Sequence, residues 1–362
     1  MSLAVGDEVE LGIERLAAGG DGLGHYEGRV VFVSYTAPGD RISVRVTEVR
    51  RRYARAELVS VLEAGPDRRE PPCPHFGRCG GCTWMHLDDA LQARTRLEIL
   101  RDALVRVGRA TDLPEIEWLP SPRTLGYRSR ARVAVSETAI GFREAASRNV
   151  IDVERCAVLD SETQRALDDL RRGARSDAGT RDVEIRGFGG QAAGLRVGEG
   201  AFFQANGALW DPWAQTVAEA CGEGEQIVEL YAGVGFYTVH LATRFKRVIA
   251  VERARSARDL RHNTDAEVIQ MSAEHFCLTQ LAELSPDAVL LNPPRTGCDP
   301  VVIDALRNVV PQRTVYVSCD PATLARDIAR MGDAFHVSRV VAIDALPQTH
   351  HVESLTVLSA NE

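Results

Sequence analysis

The chain has 362 residues, of which 44% are hydrophobic and 26% charged, and its formal net charge is −8. This composition fits a globular protein of two or three domains, and the net charge excludes a protein that is basic over its whole surface. There is no apolar stretch long enough to cross a membrane and no signal-peptide pattern, so we expect a cytoplasmic protein. Eight cysteines in that compartment favour metal binding or catalysis over disulfides.

Residues 1–64 are predicted to form a small β-barrel. Strand-like runs at Glu8–Ile13, Arg29–Val33, Arg41–Val49 and Ala56–Val61 are separated by glycine-rich turns, and no helical pattern interrupts them. Short strands with regular turn signals favour a five-stranded OB-like barrel.

A strip of arginines follows the third and fourth predicted strands, with aromatic residues between them. The strip contains Arg41, Arg45, Arg50, Arg51, Arg52 and Arg55, and the aromatic residues are Tyr26, Phe32, Tyr35 and Tyr53. Arginine binds phosphate through a planar fork and aromatic rings stack on bases, so the pattern predicts an RNA-binding face. A solvated charged face over aromatic core residues would give the same pattern.

This segment resembles the TRAM domain, an RNA-binding barrel found on RNA-modifying enzymes. The resemblance covers most of the 64 residues, and its most specific part is the turn Gly19-Gly20-Asp21-Gly22-Leu23-Gly24. It implies RNA binding by the N-terminal part of the chain.

After a proline-rich linker, three cysteines follow in a glycine-rich loop, with the spacing Cys73-x5-Cys79-Gly-Gly-Cys82. Glycines allow a tight backbone that points such thiolates at one metal centre. Cys156 could complete an iron–sulfur cluster, or His86 could complete a zinc site. The spacing alone leaves both possibilities open.

The middle of the chain is predicted to be rich in β-strands. An amphipathic helix at Leu87–Val107 comes first, and a second helix is predicted at Asp160–Arg172. Residues 171–180 are polar and contain glycine, which predicts a mobile loop. The strand-like runs are Arg130–Ser136, Ala139–Phe142, Asn149–Val153, Asp182–Gly187 and Gly194–Val197.

From about Phe202, strands and helices alternate, which predicts a doubly wound α/β domain. The strand Gln226–Tyr231 runs into Gly233-Val-Gly235, a turn that lets the backbone approach a ligand closely. The next strand ends at Glu252, where a carboxylate suits the hydroxyls of a ribose. The third glycine of the dinucleotide fingerprint and the Gly-Lys-Ser/Thr of a P-loop are missing from the sequence. We therefore expect S-adenosylmethionine rather than NAD or ATP.

Three later strand ends carry further candidates. Ala288–Leu291 runs into Asn292-Pro-Pro, a rigid loop that could line the pocket of an extruded base or could be a plain turn. The next strand reaches Cys319, directly before the helix start Asp320-Pro. A helix N-terminus favours a thiolate, so Cys319 is a candidate nucleophile, although a small buried cysteine would fit the same pattern. Glu353 lies at the edge of the last strand, on the same side of the sheet.

A thiolate, a carboxylate and S-adenosylmethionine together allow methylation of uracil at carbon 5. A thiolate that adds to carbon 6 converts the ring into an enolate that can attack a methyl group, and a base must then remove the proton from carbon 5. The base has to leave its helix to be reached, so a single-stranded or extruded uridine is implied.

Nearly the whole chain resembles the RNA 5-methyluridine methyltransferases, in the branch that has a TRAM domain and an iron–sulfur cluster. The resemblance implies Cys319 as the nucleophile and Glu353 as the base that removes the proton. The matching motifs, in the family's order, are Cys73-x5-Cys79-Gly-Gly-Cys82 with Cys156, Phe202-Phe203-Gln204-x-Asn206, Leu230-Tyr231-Ala232-Gly233-Val234-Gly235, Asn292-Pro293-Pro294-Arg295-x-Gly297, Ser318-Cys319-Asp320-Pro321 and His351-Val352-Glu353.

The resemblance also implies the binding residues. Those for S-adenosylmethionine are Gln204, Tyr231, Gly233 and Glu252, with Asn292 in the same pocket. Those for a [4Fe-4S] cluster are Cys73, Cys79, Cys82 and Cys156, which leaves His86 out. The chain departs from the family at Asn292, where Asp is usual, and in a shorter β-rich region after Arg181.

The predicted fold is multidomain: a TRAM barrel at 1–64, a β-rich central domain with the cluster at 65–86 and 110–200, and a Rossmann-like class I methyltransferase domain at 87–109 and 201–362. We expect a monomer that acts on RNA, ribosomal rather than transfer RNA, with no membrane and no obligate protein partner. One alternative is an RNA-binding or remodelling protein with secondary or lost methyl transfer, which Asn292 motivates. Another is an RNA cytosine-C5 methyltransferase, whose cysteine usually follows a proline where this chain has Ser318.

Overall fold

The computed structural model describes residues 3–173 and 179–361. These residues form two compact units, each assembled from separated stretches of the chain. The first unit comprises Met1–Ile99, Thr124–Gly187 and Leu346–His351, and the second comprises Leu100–Arg123, Phe188–Ala345 and Val352–Glu362. The division into three domains stays a prediction.

The N-terminal strands close a five-stranded barrel in the order β1-β2-β3-β5-β4, which confirms the predicted barrel. Its strands are β1 Glu8–Leu16, β2 Gly22–Tyr26, β3 Arg29–Val33, β4 Arg41–Val49 and β5 Tyr53–Glu63. Alternate residues such as Val31, Val33, Ile42 and Val44 point into the barrel and are fully buried.

Strand β2 lies where the sequence predicted only a glycine-rich turn. A β-carbon added at Gly24 would lie 2.2 Å from the carbonyl oxygen of Gly12 on β1. Glycine is needed there because the two strands approach closely. The sequence predicted that Gly24 forms part of a turn, but its role is to allow this close approach.

Helix α1, Asp89–Arg106, and the short strand β6, Ile116–Leu119, follow the cysteine loop. The first unit then continues into a four-stranded sheet in the order β10-β7-β8-β9. Its strands are β7 Arg130–Val135, β8 Ile140–Arg143, β9 Val150–Asp152 and β10 Arg181–Arg186, with helix α2 at Ser161–Gly173 between β9 and β10.

Helix α2 packs Leu167 against Val133 and Ile185 of this sheet, which gives it a small apolar core. The mobile loop predicted at 171–180 falls largely on residues 174–178, which lie outside the described residues. Residues 171–173 are the last turn of α2.

The second unit is a doubly wound α/β fold, as predicted. After a hairpin of β11, Gln191–Ala192, and β12, Leu195–Arg196, its eight-stranded sheet has the order β15-β14-β13-β16-β17-β19-β18-β6. The remaining strands are β13 Gly224–Leu230, β14 Phe245–Val251, β15 Glu267–Ile269, β16 Ala288–Leu291, β17 Arg313–Ser318, β18 Phe335–Ile343 and β19 Glu353–Ala360. The helices are α3 Trp210–Cys221, α4 Thr238–Leu241, α5 Ala257–Asn263, α6 Ala273–Phe276, α7 Ala282–Leu284, α8 Pro300–Val309 and α9 Pro321–Met331.

The position of the site follows from this strand order. Strands β13 and β16 are parallel neighbours, and the strand order runs outward from them in both directions. Ligands of open α/β sheets bind at the carboxyl ends of strands at such a switch point. Strand β19 is the one antiparallel member among the described strands of the sheet, so its N-terminal end, at Glu353, lies at the same edge.

Strand β6 pairs in parallel with β18 at the edge of this sheet and was not predicted. Its four residues, Ile-Glu-Trp-Leu, are too few to give a clear alternating pattern. Among the described residues, no helix is both long enough and apolar enough to span a membrane.

Candidate active site and cysteine cluster

Cys319 and Glu353 lie at adjacent positions on neighbouring strands. Strands β17 and β19 are antiparallel, and Ser318 pairs directly with Ser354. One step further in the same register, Cys319 and Glu353 face each other on the same side of the sheet. Directly opposed residues in antiparallel strands have β-carbons about 4.5–5.5 Å apart. The structure therefore brings the predicted nucleophile and the predicted base together.

Helix α9 begins directly after Cys319 as the sequence predicted. The side chain of Asp320 accepts a hydrogen bond from the backbone N–H of Thr323 at 2.8 Å, and Pro321 occupies the first turn. This helix start is nevertheless not sufficient to make the thiol of Cys319 acidic. Burial and then the charge of Glu353 raise the pKa of Cys319 to about 11, although Arg295 opposes them.

The carboxyl of Glu353 has a pKa close to neutral. Burial raises its pKa to about 8, and the positive charge of Arg295 partly offsets the effect. A pKa near the working pH is the property of an efficient general base. A negative charge on Cys319 disfavours a negative charge on Glu353, and the reverse is also true. At pH 7 the two side chains are therefore protonated to a greater extent than the same side chains would be if they were far apart.

Arg295 was noticed in the sequence only as part of a motif. It lies on the exposed loop after β16, and its guanidinium lowers the pKa of both Cys319 and Glu353. The same loop begins with Asn292, which is half-buried at the carboxyl end of β16 and donates its backbone N–H to Leu230 at 3.3 Å. Gly297 ends the turn with φ +77°, and its N–H donates to Pro294 at 2.8 Å. The loop is thus held in place at the switch point.

The predicted cofactor residues meet at the carboxyl ends of β13 and β14. Tyr231 adopts the left-handed conformation with φ +64°, and Gly233 and Gly235 follow with φ +62° and +96°. Such a conformation in a tyrosine is uncommon and marks a constrained backbone. A β-carbon added at Gly233 would meet no atom within 4 Å, so this turn faces open space.

Glu252 holds the turn from the end of β14. Its carboxylate accepts the N–H of Gly233 at 2.9 Å and the N–H of Ala254 at 2.7 Å, through different oxygens. Each carboxylate oxygen keeps a second lone pair, which could accept a ribose hydroxyl. The carboxylate that was predicted as a ligand contact therefore also shapes the loop.

Gln204 precedes helix α3, and its backbone carbonyl accepts the indole N–H of Trp210 at 2.9 Å. Burial raises the pKa of the nearby phenol of Tyr237 well above its ordinary value, and the side chain of Gln204 partly opposes this rise. Tyr237 is 1% exposed, and its hydroxyl has no formed hydrogen bond. The neighbouring charged groups are Glu353 and Glu229. Sequence reasoning missed Tyr237, although a tyrosine two residues after a Gly-x-Gly turn was a usable signal.

The four predicted cluster cysteines line one cavity in the first unit. The cavity has a volume of about 630 Å³ and contains Cys73, Cys79, Cys82 and Cys156 in its wall. All four are half-buried and unbridged. Apolar side chains including Met85, Tyr127 and Val158 pack behind them. Four cysteines that share one cavity match the ligand set of an iron–sulfur cluster.

In the part of the chain that the structure describes, no three His, Cys, Asp or Glu side chains converge closely enough to hold one ion. Zinc ligands lie about 2.0–2.3 Å from their metal. The [4Fe-4S] cluster expected at the four cysteines stays a prediction.

His86 lies outside the wall of that cavity. Its Nε2 donates to the backbone carbonyl of Thr36 at 3.1 Å, and its ring packs against Phe76 with centroids 5.3 Å apart. Burial lowers the pKa of His86 to about 4. The zinc alternative, which required His86 as the fourth ligand, has no support in the geometry.

The arginine strip of the barrel is mostly neutralised. Cross-strand glutamates on β1 and β5 provide many of the partners, so the strip carries less net positive charge than its arginines alone indicate. Arg51 and Arg52 form no ion pair with any other described residue. The pairs are Arg41 with Glu10 and Glu63, Arg45 with Glu8 and Glu57, Arg50 with Glu48, and Arg55 with Asp21.

Two family profiles and several related proteins match this chain. The tRNA (uracil-5-)-methyltransferase family profile matches residues 184–361, and the TRAM domain profile matches residues 3–59. The 23S rRNA (uracil(1939)-C(5))-methyltransferase RlmD of Pseudomonas putida is 31% identical over 432 residues, which cover 98% of this chain and 94% of that protein. An uncharacterized RNA methyltransferase of Bdellovibrio bacteriovorus is 29% identical over 380 residues, covering 98% and 95%.

A solved structure shares the fold over nearly the full length. It is the Pyrococcus abyssi tRNA (uracil-54, C5)-methyltransferase in complex with S-adenosyl-L-homocysteine, with a TM-score of 0.75 and 24% identity. The alignment covers 96% of this chain and 99% of the other. The C-terminal methyltransferase fold predicted from the sequence is thereby confirmed. The chain belongs to the tRNA (uracil-5-)-methyltransferase family and is an S-adenosylmethionine-dependent RNA uracil-C5 methyltransferase with an N-terminal TRAM domain.

Proposed function

We propose that the protein methylates carbon 5 of a specific uridine in RNA by transient attachment of Cys319 to carbon 6. The observation that carries this proposal is the cross-strand position of Cys319 and Glu353 at the sheet edge that also bears the Gly233 turn. A nucleophile, a base and a cofactor loop at one edge are the three parts that the reaction requires.

In this mechanism Cys319 first loses its thiol proton to water, and the thiolate sulfur then forms a bond to carbon 6. The electrons of the C5–C6 double bond move to the O4 carbonyl, and carbon 5 becomes nucleophilic. S-adenosylmethionine supplies the methyl group that carbon 5 receives. Glu353 then takes the proton from carbon 5, the C6–S bond breaks, and the double bond and the thiolate are restored.

The residues around the turn fit S-adenosylmethionine. We assign Glu252 to the ribose hydroxyls through its remaining lone pairs, and Tyr231 and Gly233 to the open side of the turn. Gln204 and Asn292 are assigned to the same pocket. Arg295 favours the charged forms of Cys319 and Glu353 as each is needed.

In the first unit, Cys73, Cys79, Cys82 and Cys156 would hold a [4Fe-4S] cluster with a structural role. Support comes from the shared cavity and its apolar wall. For the substrate we propose ribosomal rather than transfer RNA, because the Pseudomonas relative is named for 23S rRNA. The expectation of a monomeric, cytoplasmic enzyme stays a prediction.

Two variants test the covalent mechanism with labelled S-adenosylmethionine and RNA purified from cells that lack the gene. Cys319→Ala is expected to abolish methyl transfer, whereas Cys221→Ala, which alters a buried cysteine of α3, should retain it. Glu353→Gln should form the methylated adduct but release it slowly, so that protein remains attached to RNA on a denaturing gel. Full methyl transfer by Cys319→Ala would contradict the proposal.

Mapping 5-methyluridine in RNA from cells with and without the gene identifies the substrate.

A further inference from the structure

We propose that Asp327 of α9 is a positioning residue for the reaction. Its carboxylate fixes residues 292–298, which we call the proline loop, beside the strand end that carries Cys319. This inference rests on the proposed function, because the loop matters to the chemistry only if Cys319 is the nucleophile. The family motifs named above end at Pro321 and resume at His351, so they assign no role to Asp327.

The first observation is a fully buried carboxylate whose two oxygens both accept hydrogen bonds. Asp327 is 0% exposed. Its Oδ2 accepts the backbone N–H of Cys298 at 2.8 Å and the phenol O–H of Tyr316 at 2.9 Å. Its Oδ1 accepts the Nε–H of Arg326 at 2.9 Å. Because releasing any of these partners would leave a buried polar group unsatisfied, the carboxylate fixes all three.

The partners of Asp327 belong to the elements that form the site. Cys298 ends the proline loop, and Tyr316 lies on β17, three residues before Cys319. Strands β16 and β17 are parallel neighbours in which Leu291 pairs with Tyr316. Neighbouring strands lie about 4.8 Å apart. The proline loop and Cys319 therefore leave adjacent strands at the same edge of the sheet, and Asp327 holds them both.

Gly297 shows how closely the proline loop lies against this carboxylate. Its φ is +77°, and a β-carbon added there would lie 2.5 Å from Oδ2 of Asp327. Beside it, Nη2 of Arg326 donates to the carbonyl oxygen of Thr296 at 2.8 Å. The end of the loop is thus held by two charge-assisted hydrogen bonds, one from Arg326 to Thr296 and one from Cys298 to Asp327.

The middle of the proline loop, residues 294–296, is exposed and carries Arg295. The start of the loop is fixed separately, because the N–H of Asn292 donates to a carbonyl of β13 at 3.3 Å. Arg295 lies between these two anchors, so its position depends on the anchor at Asp327. The charge of Arg295 favours the charged forms of the nucleophile and the base. Since such an effect weakens with distance, a displaced loop would slow the reaction.

The test is Asp327→Asn, which keeps one oxygen as an acceptor but turns an amide NH₂ towards Arg326. We expect single-turnover methyl transfer to RNA from cells that lack the gene to slow about tenfold, a coupling usual within one hydrogen-bond network. The affinity for S-adenosylmethionine, measured by calorimetry, should stay within about twofold, because the Gly233 turn and the loop start are unchanged. Arg326→Gln, at a half-buried position, should also slow the transfer, and it decides the question if Asp327→Asn does not fold.

A double-mutant cycle with Arg295→Gln separates positioning from loss of stability. If Asp327 acts by holding Arg295, then Asp327→Asn should slow the transfer by less than about twofold once Arg295 has been replaced. An equal loss of rate in both backgrounds would overturn the positioning role. A wild-type rate in both Asp327→Asn and Arg326→Gln would overturn it as well.

The matched control is Asp287→Asn, at the opposite end of β16. The carboxylate of Asp287 accepts the N–H of Glu225 at 2.7 Å and of Gln226 at 3.0 Å, so it is an anchor of the same kind far from the reaction edge. This variant should unfold at a lower urea concentration but keep the wild-type rate, and an equal loss of rate there would contradict the inference. The proposed function is tested separately by Cys319→Ala, so the two failures are distinguishable.

Discussion

Burial disfavours the charged form of the Glu353 carboxyl, and the resulting pKa near the working pH suits a general base. With its pKa raised to about 8, only a minor fraction is ionised at pH 7. We predict that single-turnover proton removal from carbon 5 increases as the pH rises through about 8. The measurement is tritium release between pH 6 and pH 9 with saturating S-adenosylmethionine.

The same shift predicts a pH-dependent effect on stability. In the unfolded chain the carboxyl has its ordinary pKa, so between that pKa and about 8 the folded state holds a proton that the unfolded state has lost. Stability from this group is therefore full at low pH and falls as the pH rises. Glu353→Gln should unfold at a higher urea concentration than the wild type at pH 8, and the difference should shrink towards pH 5. An equal difference at both pH values would contradict the assignment.

Arg295 is exposed and acts on both groups through its charge. Replacing it with Gln should raise the pKa of Glu353 and slow proton removal at pH 7, while Arg295→Lys should restore most of the rate. Because an exposed charge is screened by salt, the difference between Arg295 and Gln should shrink at high ionic strength. The pH profile at low and high salt, measured for the three proteins, checks this. A salt-independent difference would indicate a contact rather than a charge effect.

At the scale of single residues, the sequence predicted where the site residues lie better than it predicted their pKa values and hydrogen bonds. Cys319 and Glu353 could be placed at one edge because strand ends and helix starts leave local signals. Their pKa values could not be predicted, because burial and the charge of Arg295 arise only when separate strands meet. For the same reason, no pattern in the sequence could indicate that Glu252 already binds the backbone of its own loop.

At the scale of elements, Asp40 ties the barrel to the linker that follows it. Its buried carboxylate, in the turn between β3 and β4, accepts the N–H of Ala37 at 2.6 Å and of Gly65 at 2.8 Å, and it pairs with Arg68 at 2.7 Å. Burial alone would raise the pKa of Asp40, but the hydrogen bonds from Arg68, Gly65 and Ala37 outweigh it and hold the pKa below its usual value.

We predict that Asp40→Asn lowers the free energy of unfolding by roughly 2–3 kcal/mol, because Arg68 loses its partner and two N–H groups face an amide. The contribution of Asp40 should be present above the ordinary carboxyl pKa and be lost as the pH falls through its lowered folded value. Urea unfolding monitored by circular dichroism measures both effects. Glu63→Gln, which breaks an exposed pair with Arg41, should change stability little.

The strands that sequence reasoning missed were either very short or contained glycines that indicated a turn. Strand β2 contains glycine because β1 lies close to it, and β6 has four residues. The arginine strip was seen correctly as a run of residues, but its partners on β1 and β5 could be identified only after the barrel closed. Local patterns predict an element far better than they predict which element lies beside it.

At the scale of the whole molecule, the four cysteines belong to one unit and the reaction edge to the other. We predict that Cys156→Ser loses iron, sulfide and visible absorption, whereas His86→Gln retains them, because His86 lies outside the cavity wall. Metal analysis of anaerobically purified protein measures both variants. Bound zinc that depends on His86 would support the zinc alternative and contradict the cluster.

Neither unit is continuous in the chain, and this organisation could not be predicted. Motif order indicated a barrel, a cysteine region and an α/β domain, which are all present. The sequence could not indicate that Leu346–His351 groups with the first unit while the strands on either side of it group with the second. Such assignments depend on pairings over long separations in sequence.

The parallel pairing of Ile116 with Val340 therefore affects how the protein is made. On the ribosome, β6 must wait for more than two hundred further residues before β18 exists. At 5–20 residues per second this delay is roughly ten to forty seconds. During that interval an apolar segment without a partner is a natural site for chaperone binding. A recombinant fragment that begins at Phe188 would have the converse defect: it would contain β18 with a bare edge and should aggregate, whereas the full chain, in which β6 pairs with that edge, should stay soluble.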